Sequence, residues 1–162
     1  MKEYIVKSEK GRKYRLFDGV RELGLLSYSK WFSMNSEIEF SDYKKLSVIS
    51  TGFWNNRMII KNNDFEVASF KMTFKGGILI TTKSKVYRLK PKGIFKSGFV
   101  LTDETNETLL TADYRLIWKA MTNDFTFVSS EAFEGISDKE TLLMIVLAAA
   151  NYYIAVMASA AA

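Results

Sequence analysis

Residues 142–162 read LLMIVLAAANYYIAVMASAAA. Across this run only Asn151, Ser159 and the hydroxyls of Tyr152 and Tyr153 are polar, and eight positions are alanine. A helix that is apolar on every side has to be enclosed by protein or by lipid. The run also has the length of a membrane span, roughly 20 apolar residues at about 1.5 Å each. Just upstream, Ser137-Asp138-Lys139-Glu140 has the spacing of a capping box, in which a Ser hydroxyl and a Glu carboxylate three residues on satisfy each other's free backbone N–H groups. Gly135 before it suits a turn. Together these predict one helix from 137 to 160 or 161.

Residues 1–135 carry a different period. Short β-branched and aromatic runs alternate with Gly, Asn, Asp and Ser, which is the pattern of strands and tight turns. Twelve strands are predicted, over 3–7, 13–17, 23–28, 37–40, 45–50, 57–61, 66–70, 77–82, 85–89, 98–102, 108–113 and 125–129. In the ninth, Val86, Arg88 and Lys90 face one way, and Lys85, Tyr87 and Leu89 the other. Phe17-Asp18-Gly19-Val20 predicts a type I′ hairpin turn built on Asp-Gly. Asn55-Asn56, Asn62-Asn63 and Gly76-Gly77 are weaker turn signals of the same kind. A faint echo links residues 18–40 to 103–127: Tyr28, Trp31, Met34 and Phe40 in the first match Tyr114, Trp118, Met121 and Phe127 in the second. It suggests a shell of two parts.

Many short strands and one slim, alanine-rich helix fit together as a closed antiparallel barrel of about twelve strands around a buried hydrophobic C-terminal helix. Residues 1–162 then form a single domain, with a shell over 1–135 and a central helix over 137–161. On this reading Ala149 and Val156 are almost wholly buried, and the amide of Asn151 finds partners in the shell. The competing reading is a tail-anchored membrane protein. Tail anchors usually carry polar or basic residues beyond the span, whereas here the run ends Ala160-Ala161-Ala162.

With no His and no Cys, the chain of 162 residues has no imidazole base, thiolate nucleophile or disulfide, and no ordinary zinc site. Residues 1–7 have no apolar core of signal-peptide length, which points to the cytoplasm. The net charge is +5, unevenly spread: residues 1–100 hold 20 Lys and Arg against 9 Asp and Glu, and residues 101–162 hold 3 against 9. Such asymmetry offers a basic face to phosphate-bearing partners.

The combination resembles the tubby carboxy-terminal-like fold, shared by tubby proteins, phospholipid scramblases and LURP-one-related proteins. The likeness rests on Asp124-Phe125-Thr126-Phe127, Ser137-Asp138-Lys139-Glu140 and the run Leu142–Ala150, with Phe17-Asp18-Gly19 and Lys30-Trp31-Phe32 upstream. It implies a twelve-stranded barrel around the terminal helix. It also implies phosphoinositide binding through clustered Lys and Arg. The acidic cluster that scramblases place before the helix is reduced here to Asp124, Glu131 and Glu134, too sparse for a calcium site of six to eight oxygens. The Pro-rich and Cys-bearing segments of scramblases are absent.

No catalytic set emerges, so the expectation is a non-enzymatic binding module without cofactor or metal. Glu37 and Glu39 share a strand face, which a wet surface explains as well as acid–base work does. Gly76-Gly77 lacks the Lys-Ser/Thr of a phosphate loop. The candidate site is basic: Lys83, Lys85, Arg88, Lys90, Lys92 and Lys96, with Tyr87 and Phe95 interleaved. Arg88, Lys90 and Lys92 project to one side of an extended strand and could meet the phosphates of anionic phospholipid headgroups or phosphoinositides. A solvated outer face is the competing explanation. Nucleic acid is disfavoured, because Tyr87 points away from the charges. Lys10, Arg12, Lys13 and Arg15 form a second basic cluster. The expected partner is an anionic membrane surface approached from the cytoplasm; the alternative is a protein-interaction scaffold with no small ligand.

Overall fold

The computed structural model describes residues 1–30, 33–52, 56–93, 96–117, 119 and 121–161. Twelve strands run β1 (Lys2–Glu9), β2 (Lys13–Asp18), β3 (Arg21–Tyr28), β4 (Ser36–Phe40), β5 (Lys45–Thr51), β6 (Arg57–Asn62), β7 (Phe65–Met72), β8 (Ile78–Thr82), β9 (Val86–Pro91), β10 (Gly98–Thr102), β11 (Thr108–Ile117) and β12 (Thr122–Ser129). A short helix α1 (Glu131–Glu134) leads into α2 (Lys139–Ala161). Each strand pairs antiparallel with the next. β1 pairs with β12, from Lys2 opposite Ser129 to Val6 opposite Phe125, and closes the barrel.

Period-2 patterning decides which side chains enter. From Val6 on β1 to Phe127 on β12, every strand sends at least one side chain inward that is no more than 1% exposed. They close on α2, where residues 141–150 are all buried and Ala148, Ala149 and Ala150 are at most 2% exposed. Three consecutive alanines keep the helix thin enough for large strand residues such as Phe70 and Phe99 to pack inside. A helix of 23 residues is about 35 Å long, more than strands of five to ten residues span when tilted. It therefore overhangs. Val156, expected in the core, is only partly buried, and Met157 to Ala160 are exposed. The helix has the length and apolar character to cross a membrane, but 61% of its most apolar window lies inside the barrel.

Three local expectations shift. α2 begins at Lys139 and not at 137; Glu140 turns to Arg21 (2.8 Å) and Lys139 to Glu134 (2.7 Å), so the carboxylate of the expected capping box is used across elements. A capping Ser occurs one element earlier: Ser130 accepts from the backbone N–H of Phe133 at 3.2 Å and starts α1, a turn of helix the strand-and-loop reading of this region omitted. The first hairpin turns on Gly19-Val20. Asp18 pairs with Arg21, and within this turn only Gly19 has positive φ, +60°. That is the Gly-first pattern of a type II′ turn, and it frees Asp18 to accept from Lys2 at 2.6 Å.

The echo in the sequence has a different period from the one expected. Register shifts fall at Leu16/Phe17 on β2, Ile60/Lys61 on β6 and Leu101/Thr102 on β10, four strands apart each time. Residues 18–40 and 103–127 cover β3–β4 and β11–β12, two such steps apart. The shell therefore reads as three four-strand units. Two equal halves would have related β3–β4 to β9–β10.

Asn151 is 7% exposed, and its Nδ2 has no hydrogen-bond partner among the described residues. It lies beside the Tyr28 hydroxyl, as does Ser36. Burial, reinforced by Tyr14, pushes the Tyr28 hydroxyl well above its ordinary pKa. The expected satisfaction of the Asn151 amide is thus incomplete.

Candidate functional site: a basic wall and a two-faced barrel

Closure places β6, β7, β8 and β9 side by side. Residues 57–98, which comprise these strands and the turns between and after them, hold ten Lys and Arg against Asp64 and Glu66; the rest of the chain holds 13 against 16. Of the excess of +11 carried by residues 1–100, +8 therefore falls on these four strands and their turns. Cross-strand register sets Arg88 opposite Leu79, Leu79 opposite Lys71 and Lys71 opposite Arg57, a continuous row on the outer face.

The six predicted cations divide. Arg88 and Lys90 stand exposed on β9, with Tyr87 and Leu89 buried between and beside them, as the alternation required. Lys96 is exposed in the β9–β10 link. Among the described residues none of these three has a carboxylate within salt-bridge distance. Lys92 instead gives its Nζ to Asp113 on β11 at 2.6 Å, and only 23% of its side chain is exposed. The pair lies over Gly98, where a Cβ would come within 2.5 Å of Asp113 Oδ1, so the missing side chain there leaves room for the bridge. Lys85 sits beside Asp103, whose carboxyl is held below its ordinary pKa by the Thr105 hydroxyl, backbone N–H groups and Lys85. Lys83 belongs to the end of the barrel, at a cavity of about 310 Å³ also lined by Lys44, Tyr87, Asp138 and Thr141. Phe95 lies outside the described residues. Sequence reasoning missed Lys71 and Arg57, which cross-strand register brings into the row, Glu66, which pairs with Arg57 at 2.8 Å, and Asp113, which neutralises Lys92.

The second basic cluster divides: Lys10 and Lys13 are exposed, and Arg12 and Arg15 brace the fold. Arg12 stacks on Tyr28, 4.2 Å from the ring centroid, and donates to the carbonyls of Lys30 and Ser33 at 3.0 Å each. Arg15 bridges Glu9 (2.7 Å) and Glu22 (2.8 Å). Glu37 and Glu39 share the outer face as expected, and both approach Lys45, at 3.6 and 3.7 Å. Asp124 and Glu134 are each committed elsewhere. Asp124 accepts from the Ser8 amide and hydroxyl at 2.8 Å each. Glu134 accepts from Tyr4 (2.8 Å), Ser129 (2.5 Å) and Lys139 (2.7 Å). Burial alone would raise the Glu134 carboxyl, but these donors outweigh it and lower the pKa to about 2. Among the described residues no group of three or more acids gathers to hold a cation.

Because all strands are antiparallel, the links β1–β2, β3–β4, β5–β6, β7–β8, β9–β10 and β11–β12 lie at one end, and the other links lie at the opposite end. The cavity that Ser137, Asp138 and Thr141 line with Lys44 and Lys83 places the start of α2 among the second set. The contact of Tyr153 with Phe99, 5.4 Å between ring centroids, places its far half among the first. The two ends differ in charge. Links at the far end of α2 hold seven Lys and Arg and no Asp or Glu; links at its start, including 130–138, hold eight Asp and Glu against Lys44, Lys83 and Lys85.

Compared with protein-family models, curated proteins and solved structures, the chain matches none.

Proposed function

We propose that this protein is a non-enzymatic module of the tubby-like kind that attaches peripherally, on the cytoplasmic side, to anionic phosphate-bearing membranes through the β6–β9 wall. One observation carries the reading: four contiguous strands and their turns concentrate a charge of +8 in a chain whose net charge is +5. A solvated face needs scattered charge of both signs. A wall predominantly of one sign, with Arg88, Lys90 and Lys71 free of carboxylate partners among the described residues, raises the local concentration of anions instead. The outer rows alternate these cations with Leu79, Ile59 and Val100, side chains that tolerate a headgroup layer and give no stacking platform for bases.

Co-sedimentation tests the reading. Phosphatidylcholine vesicles carrying phosphatidylserine or a phosphoinositide bind the protein, pure phosphatidylcholine does not, and salt weakens the attachment. Reversing Arg88, Lys90 and Lys71 to Glu abolishes sedimentation, because outward strand positions carry little folding energy. Reversing Lys2, Lys7 and Arg21, on β1 and β3, leaves most of it. Equal loss in both sets would assign the binding to net charge, and no binding at low salt would overturn the proposal.

A further inference from the structure

We infer that the end of the barrel from which α2 emerges enters the bilayer interface, so that attachment combines charge on the wall with apolar insertion at this rim. The inference rests on the membrane reading above and goes beyond it in naming the inserted surface.

Three exposed apolar side chains at this end carry the argument. Phe74 stands fully exposed at the tip of the β7–β8 link, next to Lys75. Its turn is closed by hydrogen bonds from the Thr73 amide to the Gly77 carbonyl (3.0 Å) and from the Gly76 amide to the Thr73 carbonyl (3.2 Å), so the ring is held outward by ordered backbone. Met121, in the β11–β12 link two residues after Lys119, is 71% exposed with φ +53°. A non-glycine residue rarely takes that conformation, and here it accompanies a flexible apolar side chain turned to solvent. Met157, on the overhang of α2, is 46% exposed. Apolar tips interspersed with Lys and no acid are the composition that sits at a headgroup–acyl boundary over anionic lipid.

Exposed apolar residues alone do not single out this end, since Val20, Tyr43 and Phe65 are also exposed at the other. Charge separates the two. Tyr43 follows Asp42, Phe65 follows Asp64, and the links there are net acidic, so an anionic surface repels that end. The links around Phe74 and Met121 carry cations only, and the acids that flank them, Glu9, Glu37 and Asp113, are each held in an ion pair. Lys75, Lys92 and Lys96 belong both to the wall and to the rim, which makes the two surfaces meet at one corner.

The chain has no cysteine, so single-cysteine variants of the full chain can each be labelled at one site with a polarity-sensitive fluorophore. With Met121→Cys and Met157→Cys, emission shifts to the blue and becomes protected from aqueous quencher on phosphatidylserine-containing vesicles. With Val20→Cys and Phe65→Cys it does not. Phe74→Asp with Met121→Asp lowers partitioning at least about tenfold, whereas Val20→Asp with Phe65→Asp leaves it unchanged. Vesicle binding with all four labels equally wet would overturn insertion and leave the wall intact. Blue shifts at both ends would also overturn it. Failure to bind any anionic vesicle would remove the membrane reading itself.

Discussion

Glu134 joins the elements that close the fold. Its carboxylate gathers Tyr4 from β1, Ser129 from β12 and Lys139 from the first turn of α2. The seam of the barrel and the entry of its helix are thus tied through one side chain. Glu134→Gln keeps the shape and two acceptor directions but removes the charge that Lys139 faces. The carboxyl falls from 4.5 to about 2 in the folded protein. At ~1.4 kcal/mol per unit, the ionised form gains at most ~3.5 kcal/mol from folding. About a quarter of the side chain is exposed (24%), and solvent screening reduces this to about 1–2 kcal/mol. Because folding lowers this pKa, the contribution is complete above the unfolded value near 4.5 and drains away as pH falls towards 2. Urea denaturation of both proteins at pH 7, 5, 3 and 2 reads it out. The variant is less stable by about 1–2 kcal/mol at pH 7 and 5, and the two curves converge as pH approaches 2. A gap that stayed constant down to pH 2 would mean that the loss comes from altered packing. No gap at pH 7 would mean that the carboxylate does not hold the seam.

Two further substitutions probe the interior. Ala149→Leu adds bulk where the helix is fully buried and costs about 1–3 kcal/mol or more in chemical denaturation, whereas Ala158→Leu on the exposed overhang costs nothing measurable. Equal effects at the two positions would show that the helix does not fill the barrel. Asn151→Leu exchanges an amide whose Nδ2 has no partner for an apolar side chain of similar size, and raises stability by up to about 1 kcal/mol. A loss larger than that would show that contact with Tyr28 holds the amide in place.

The architecture was legible because its two periods do not overlap. A run without any polar face has to be enclosed, and strands with clean alternation have to bury one side. All twelve predicted strands overlap observed ones; most ends differ where hydrogen bonding extends a strand beyond its apolar core, as on β11, which runs to Ile117, while β8 and β9 each start one residue later than predicted. What escaped the sequence depends on neighbours that only closure supplies. Lys92 reads as one rung of a ladder until β10 and β11 bring Asp113 beside it, twenty-one residues on. Lys71 and Arg57 look isolated until register lines them up with Arg88. The threefold repeat was half visible because its middle unit departs most. The link after β7 reads Phe74-Lys75, where the outer units carry Lys30-Trp31 and Trp118-Lys119.

The opposite charges of the two barrel ends have one ready structural cause, and it accounts for part of the pattern. A helix presents a partial positive charge at its start and a partial negative charge at its end, so acids around Lys139 and cations around the far turn of α2 both stabilise it. That field fades within a single turn. It reaches Glu134 and Glu140, which make ion pairs close to the helix start. It does not extend to Lys75 or Lys96, carried on links at the ends of outer strands, nor does it require Phe74 or Met121 to be exposed between them. A protein shaped by the helix dipole alone would fill those tips with polar residues. Cations and bare apolar side chains together, on links that carry no acid of their own, are what the proposed attachment to an anionic bilayer calls for and what the dipole leaves unexplained.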